Sequence, residues 1–118
     1  MMETLLQLLV GFIALLHGLF MLLEMVLWTH PIGRRVFGTS ADYAQSTRTL
    51  AANQGLYNGF LAAGLLWSLW SGELSLQLFF LGCVFLAGVF GAVSVNRRIF
   101  WVQAFPAMLA LLLLSQLH

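Results

Sequence analysis

The chain has 118 residues, of which 61% are hydrophobic and only 8% are charged, whereas soluble domains carry roughly 25% charged residues. This composition excludes an ordinary soluble domain and predicts that the chain lies in a lipid bilayer. The five basic residues are all arginines and the formal net charge is +1, so the sequence offers no basic surface for nucleic acid.

Four apolar stretches are long enough to cross the hydrocarbon core, which takes about 20 helical residues for roughly 30 Å. The predicted spans are residues 4–28, 50–70, 74–95 and 99–117. Glu3 stands where a cleaved leader would carry basic residues, so we expect the first stretch to remain as a helix. The sequence predicts a single all-α domain over residues 1–118, an antiparallel, up-down four-helix transmembrane bundle.

The one long connection, residues 29–49, follows the first span. Pro31 and Gly33 are expected to end the first helix. Ser40 is a candidate N-cap, and Asp42 in the next turn favours the positive end of a helix dipole. The second helix is therefore predicted to begin near Ala41 and to run from this loop into the membrane.

The arginines predict the orientation of the chain, because arginine excess marks cytoplasmic loops. Once four helices alternate, all five arginines fall on one side: Arg34, Arg35, Arg48, Arg97 and Arg98. We therefore expect loop 29–49 in the cytoplasm, both termini on the non-cytoplasmic side, and a multi-pass protein of the cytoplasmic (inner) membrane. Small residues four apart, such as Gly55, Gly59 and Ala63, predict close helix packing or a homodimer contact.

Polar residues follow separate stripes of the first two spans. Successive helical residues are 100° apart around the axis, so the polar residues of span one form a single column. Those of span two occupy one arc, on the side opposite the Gly55 stripe. These residues are His17, Glu24 and Trp28 on span one, and Asn53, Gln54, Tyr57 and Asn58 on span two. The sequence thus predicts that polar faces and small-residue faces are distinct.

The depth of these residues favours a single pocket. At about 1.5 Å per residue from the cytoplasmic ends, Glu24 lies roughly 6 Å deep, Tyr57 roughly 10 Å and His17 roughly 16 Å. The outer half of the predicted bundle is nearly bare of polar side chains. We therefore predict a polar pocket that opens to the cytoplasm, with Trp28 and Gln54 as further ligand-binding candidates. Its predicted lining is His17, Glu24, Asn53, Tyr57, Asn58 and Gln103.

Two interpretations of this polar set remain open. A carboxylate in the bilayer costs several kcal/mol unless it pairs, protonates or reaches water. Glu24 would then either bond Arg34, Arg35 or Asn53 for stability alone, or serve a ligand. His17 would likewise be either a hydrogen-bonded core residue or a functional one.

Two motifs carry a resemblance to a known family. The stretches "LLHGLFMLLEMVLW" and "NQGLYNGFLAAGL" hold most of the polar set, and "GRRVFG" lies between them. With them the chain resembles, over essentially its whole length, the small bacterial four-helix integral membrane proteins grouped as domain of unknown function 1304. The resemblance implies a four-helix fold and an inner-membrane location, and it implies no activity and no cofactor.

Three functions fit these residues. The first is binding or transport of a small lipophilic or cationic compound, with Glu24 as counter-charge and Trp28 and Tyr57 as aromatic faces. The second is a membrane-embedded enzyme for a lipophilic substrate, with His17 as proton shuttle, Glu24 as base and Tyr57 as donor. The third is an accessory subunit whose polar face seats a partner helix.

A metal site is not predicted. His17 and Glu24 are two helical turns apart, and the neighbouring spans supply no second histidine or carboxylate at matching depth. Cys83 is the one cysteine, which excludes an intramolecular disulfide and a cysteine metal cluster. The expected partners are the lipid bilayer and a small lipophilic ligand, with a homodimer as an open alternative.

Overall fold

The computed structural model describes all 118 residues, and it contains helices and turns with no strand. The helices in chain order are α1 (Met2–Met25), α2 (Pro31–Phe37), α3 (Ala41–Ser46), α4 (Arg48–Ser71), α5 (Leu74–Ser94), a π-helix (Phe100–Ala104) and α6 (Phe105–Leu117). The all-α class is confirmed. The predicted count of four helices is wrong, because the connection 29–49 folds into α2 and α3 instead of remaining a loop.

Three helical segments are long and apolar enough to cross a membrane: Met2–Met25, Leu74–Ser94 and Phe100–Leu117. They correspond to the first, third and fourth predicted spans, and their ends differ from the predicted ends by a few residues. Helix α4 has a sufficient length of 24 residues. Its composition does not mark it as a span, because Arg48, Asn53 and Asn58 interrupt its apolar residues.

The first helix ends earlier than the sequence predicted. α1 ends at Met25, a turn over residues 26–30 follows, and Pro31 begins α2 rather than ending α1. Proline is favoured at a first helical position because its missing N–H would have no helical partner there. The His30 side chain caps this helix, since its Nδ1 accepts a hydrogen bond from the Ile32 N–H at 3.3 Å. The expectation that Pro31 ends the first helix is therefore wrong.

Ser40 acts as the predicted N-cap. Its Oγ accepts a hydrogen bond from the Tyr43 N–H at 3.1 Å, and α3 begins at Ala41. The helix is interrupted at Thr47, whose hydroxyl donates to the Tyr43 carbonyl at 2.7 Å. α4 then begins at Arg48, so the predicted second helix is divided into two.

The chain forms two compact units. The central unit is Leu15–Ala62, and the flanking unit comprises Met1–Ala14 and Ala63–His118.

In the flanking unit, α5 packs against the π-helix and α6. Gly88 makes this contact close, because a Cβ on it would lie 2.5 Å from the Ala104 backbone nitrogen. Small residues at such positions allow helix backbones to approach.

Candidate functional site

A hydrogen bond between α1 and α4 forms the polar centre of the central unit. The Asn58 side-chain amide Nδ2 donates to Glu24 Oε1. Asn58 is buried, with 7% of its surface exposed, and Glu24 is half-buried. Glu24 would otherwise carry its charge next to apolar side chains, so the amide offsets part of the cost of burying it.

A glycine explains why the amide reaches the carboxylate. Gly55 lies three residues before Asn58 on α4, and a Cβ there would lie 2.6 Å from Met25 Cγ and 3.0 Å from Glu24 Cβ. The two helices can therefore approach closely beside the polar pair. Gly59 contributes in the same way, since its Cβ would lie 2.6 Å from Met21 Sδ.

His17 lies on the same face of α1 as Glu24, two turns and about 10 Å away along the helix axis. Its side chain is fully buried. The imidazole meets the Phe20 ring edge-on, with 5.5 Å between ring centroids and an interplanar angle of 69°. α1 therefore presents a buried imidazole and a half-buried carboxylate on a single face.

Trp28 has a different position from the one predicted. It lies in the turn after α1, so it does not continue the helical column of His17 and Glu24. Its indole Nε1–H donates to Thr47 Oγ1 at 3.1 Å, and its ring packs against Phe37 at 5.0 Å. Trp28 thus connects the turn to α2 through ring packing, and to the junction of α3 and α4 through a hydrogen bond. Thr47 was missed in the sequence, because the predicted second helix ran through this position without interruption.

The residues of the predicted polar arc on α4 differ in solvent exposure. Asn53, Gln54 and Tyr57 are exposed, whereas Asn58 lies on the buried face with Gly55. The predicted separation of polar and small-residue faces is therefore wrong at Asn58. The reason is geometric, because residues three apart on a helix are only about 60° apart around its axis.

Tyr57, which precedes Asn58 in the chain, presents an exposed aromatic surface on α4. It is 53% exposed, and its ring lies 6.2 Å from that of Phe60 on the next turn. Both rings belong to the same helix as Asn58, so an apolar or cationic group that contacts this surface of α4 would meet two π faces.

Gln103 belongs to the flanking unit, where it is half-buried on the π-helix. The Phe105 N–H donates to the Phe100 carbonyl, five residues back. Pro106 follows and has no N–H for the carbonyl four residues before it, which favours this irregular turn. Single π-helical turns occur frequently at functional sites, and the inclusion of Gln103 among the ligand-binding candidates stays a prediction.

The possible metal ligands of the whole chain are its histidine, cysteine, aspartate and glutamate side chains. No group of three or more of them is arranged to hold an ion. The chemistry that the Glu24–Asn58 pair offers is hydrogen bonding and charge. An amide can orient a carboxylate, and a carboxylate can accept further N–H donors or a cation.

Comparisons with known proteins give a family and no activity. The family model described as Protein of unknown function (DUF1304) matches residues 11–115. The chain is 32% identical over 82 residues to the Uncharacterized protein YpaA of Lactococcus lactis subsp. lactis (strain IL1403), covering 66% of this chain and 69% of that protein. No solved structure matches the chain. The function therefore has to be argued from the residues themselves.

Proposed function

This chain belongs to the family described as Protein of unknown function (DUF1304), and from that premise we propose that it binds a small cationic or lipophilic compound in a membrane. The binding point is the Glu24 carboxylate with its Asn58 partner. In this proposal α4 is a fourth span, loop 29–49 is cytoplasmic, and the protein is a multi-pass component of the cytoplasmic membrane.

The observation that carries the proposal is the incomplete hydrogen bonding of Glu24. An ionised carboxylate has about four acceptor positions, and the side chain accepts one hydrogen bond from a neutral amide. The helix that holds it is apolar enough to span a membrane. A carboxylate there is costly without a compensating donor or cation. A ligand with an ammonium or N–H group would supply that compensation.

Partial exposure makes the carboxylate reachable. Glu24 is half-buried, so a ligand can approach it without unfolding the contact between α1 and α4. The exposed Tyr57 ring would contribute a cation–π contact, worth about 0.5–2 kcal/mol depending on desolvation. A lipophilic cation suits both the carboxylate and the aromatic ring, since its charge would contact Glu24 and its apolar groups would contact Tyr57.

Transport is the further step of the proposal. The Glu24 carboxylate can bind either a proton or the cationic compound, but not both at once. Alternation between these two states would couple movement of the compound in one direction to proton movement in the other. His17, whose buried imidazole lies on the same face of α1, is the second proton-carrying group of the proposal.

Binding of a lipophilic cation tests the proposal directly. We would titrate tetraphenylphosphonium against the purified full chain in an uncharged maltoside detergent and compare Glu24→Gln with wild type. The expected result is saturable binding that weakens at least tenfold in Glu24→Gln, because a neutral amide cannot balance the charge. The matched control is Glu73→Gln, which removes an exposed carboxylate from the turn before α5 and is expected to bind like wild type.

Equal affinities of wild type and Glu24→Gln would overturn the proposal, provided that both variants unfold at the same temperature. If tetraphenylphosphonium does not bind but a lipid extract is chemically changed in a His17-dependent reaction, the enzyme hypothesis replaces the binding one. Stoichiometric copurification of a protein, with neither of these activities, would favour an accessory subunit.

A further inference from the structure

A second polar site lies in the flanking unit, far along α1 from Glu24. It is a cleft of about 200 Å³ formed by the first turns of α1 and α5 and the last turns of α4 and α6. Its polar lining is Glu3, Gln7, Gln77 and His118, and Leu6 and Leu69 form part of its apolar wall. Residues from four helices therefore converge on one small space.

The polar side chains of this cleft are available to a ligand. Glu3, Gln7, Gln77 and His118 make no side-chain hydrogen bond to another protein group. Each of them lines a cleft of about 200 Å³, which is large enough to hold several waters or a small organic ligand. Gln77 is half-buried and the other three are exposed at the cleft, so a ligand would reach their donors and acceptors by replacing bound water.

The charges of the cleft select the class of partner. Glu3 is the one carboxylate in the lining, and no arginine lines the space. Arg97 and Arg98 stand beyond the opposite end of α5. The glutamine side-chain oxygens add neutral acceptors for N–H groups. An anion would therefore meet a like charge, whereas a cation would meet a counter-charge and several acceptors.

We propose that this cleft binds a small organic ammonium ion. Glu3 supplies the counter-charge, Gln7 and Gln77 accept N–H hydrogen bonds, and Leu6 and Leu69 contact the alkyl part. A bare divalent metal fits less well, because the cleft offers one carboxylate and one imidazole and no group of three strong ligands. The site is separate from Glu24 and does not depend on the function proposed for that residue.

Butylammonium is a probe of suitable size, and 1-butanol is its uncharged control. We would titrate each into the full chain in maltoside detergent and follow the side-chain amide resonances of Gln7 and Gln77 by NMR. The expected result is saturable shifts with butylammonium and much weaker ones with butanol. Glu3→Gln should weaken butylammonium binding at least tenfold. Glu73→Gln removes a neighbouring carboxylate outside the cleft, and its affinity should stay within about twofold of wild type.

Two further variants make the result decisive. Gln77→Leu should weaken binding without removing the charge. Glu24→Gln should leave the butylammonium-induced shifts of Gln7 and Gln77 unchanged, whatever it does to cation binding at Glu24, which separates this site from the one proposed above. Linear shifts without saturation, or equal affinities of wild type and Glu3→Gln, would overturn the assignment. Loss of butylammonium binding in Glu24→Gln but not in Glu3→Gln would overturn it as well, and would place the cation at Glu24 instead.

Discussion

Glu24 and Asn58 depend on each other in energetic terms. Asn58 is buried, so an amide without its acceptor would lose hydrogen bonds that water supplies in the unfolded chain. A hydrogen bond to a charged group contributes about 1.5–3 kcal/mol, although polar contacts between membrane helices average closer to 0.6 kcal/mol. The pair therefore holds α4 against α1 and positions the carboxylate at the same time.

Replacing the amide alone should show this contribution. Asn58→Leu leaves Glu24 without its donor, and we expect the free energy of unfolding in detergent to fall by about 1–2 kcal/mol. Asn53→Leu, at an exposed position on the same helix, should change it by less than about 0.5 kcal/mol. In a double-mutant cycle, Asn58→Leu should lower the free energy of unfolding by less in a Glu24→Leu background than in wild type. Additive effects would mean that the hydrogen bond contributes nothing.

At the level of elements, close approach of α5 to the π-helix depends on Gly88. A Cβ at this position would lie 2.5 Å from the Ala104 nitrogen and 2.8 Å from the Ala104 Cα. Both neighbours are backbone atoms, so they cannot move aside as a flexible side chain would. Gly82 lies on the same helix, and a Cβ there would meet nothing within 4 Å.

These two glycines give a matched pair of variants. Gly88→Ala forces α5 and the π-helix apart, and we expect it to lower the free energy of unfolding by about 1–3 kcal/mol. Gly82→Ala should be neutral, or stabilising by up to about 1 kcal/mol, because alanine favours the helix. The measurement is denaturant unfolding followed by circular dichroism. If both substitutions have the same effect, the contact at Ala104 does not limit packing.

The connection between α1 and α4 shows which elements local sequence can predict. The cap at Ser40 was predictable because a serine hydroxyl satisfies N–H groups two or three residues ahead wherever a helix follows. Pro31 was ambiguous, because proline both ends a helix and begins one. The His30 cap and the burial of Gly33 inside α2 favour the second outcome. The cap joins residues two apart, and Gly33 packs against the Leu27 carbonyl oxygen. Both interactions depend on the conformation of the turn after α1, which the sequence pattern does not display.

The pairing of polar residues was harder to predict for a related reason. The sequence offered Asn53 as the amide partner of Glu24, whereas the amide that donates to Glu24 belongs to Asn58. Glu24 is one residue from the end of α1, and Asn58 is well inside α4. Depth counted along each helix from its own end therefore fails here, because the end of α1 and the start of α4 do not lie at the same level. The apolar stretches were predictable, because a chain in hydrocarbon must satisfy its backbone internally and therefore forms helices.

At the level of the whole molecule, the cleft at Glu3 brings together polar residues from distant parts of the chain. Glu3 and Gln7 begin the chain, Gln77 lies in its second half and His118 is its last residue. Each is an ordinary polar residue near a helix end when considered alone. Only the fold brings them to one cleft, so no local pattern could have indicated it.

The predicted orientation of the molecule follows from the distribution of its arginines. It can be measured by cysteine labelling, once the single native cysteine, Cys83, has been replaced. In a Cys83→Ser background, Ser40→Cys would report on the connection 29–49, and Glu73→Cys on the turn between α4 and α5; both positions are exposed. Because arginine-rich loops remain in the cytoplasm, we expect a membrane-impermeant maleimide to label Glu73→Cys in intact cells. Ser40→Cys should react only after the membrane is opened.

The same experiment decides whether α4 crosses the membrane. If it does, the two positions lie on opposite sides and their labelling patterns must differ. Labelling of both positions in intact cells, or of neither, would mean that α4 lies on one side and that three helices span. Labelling of Ser40→Cys alone would invert the orientation. The Glu24 carboxylate near the end of α1 would then face the cell exterior, where a ligand would enter without first crossing the bilayer.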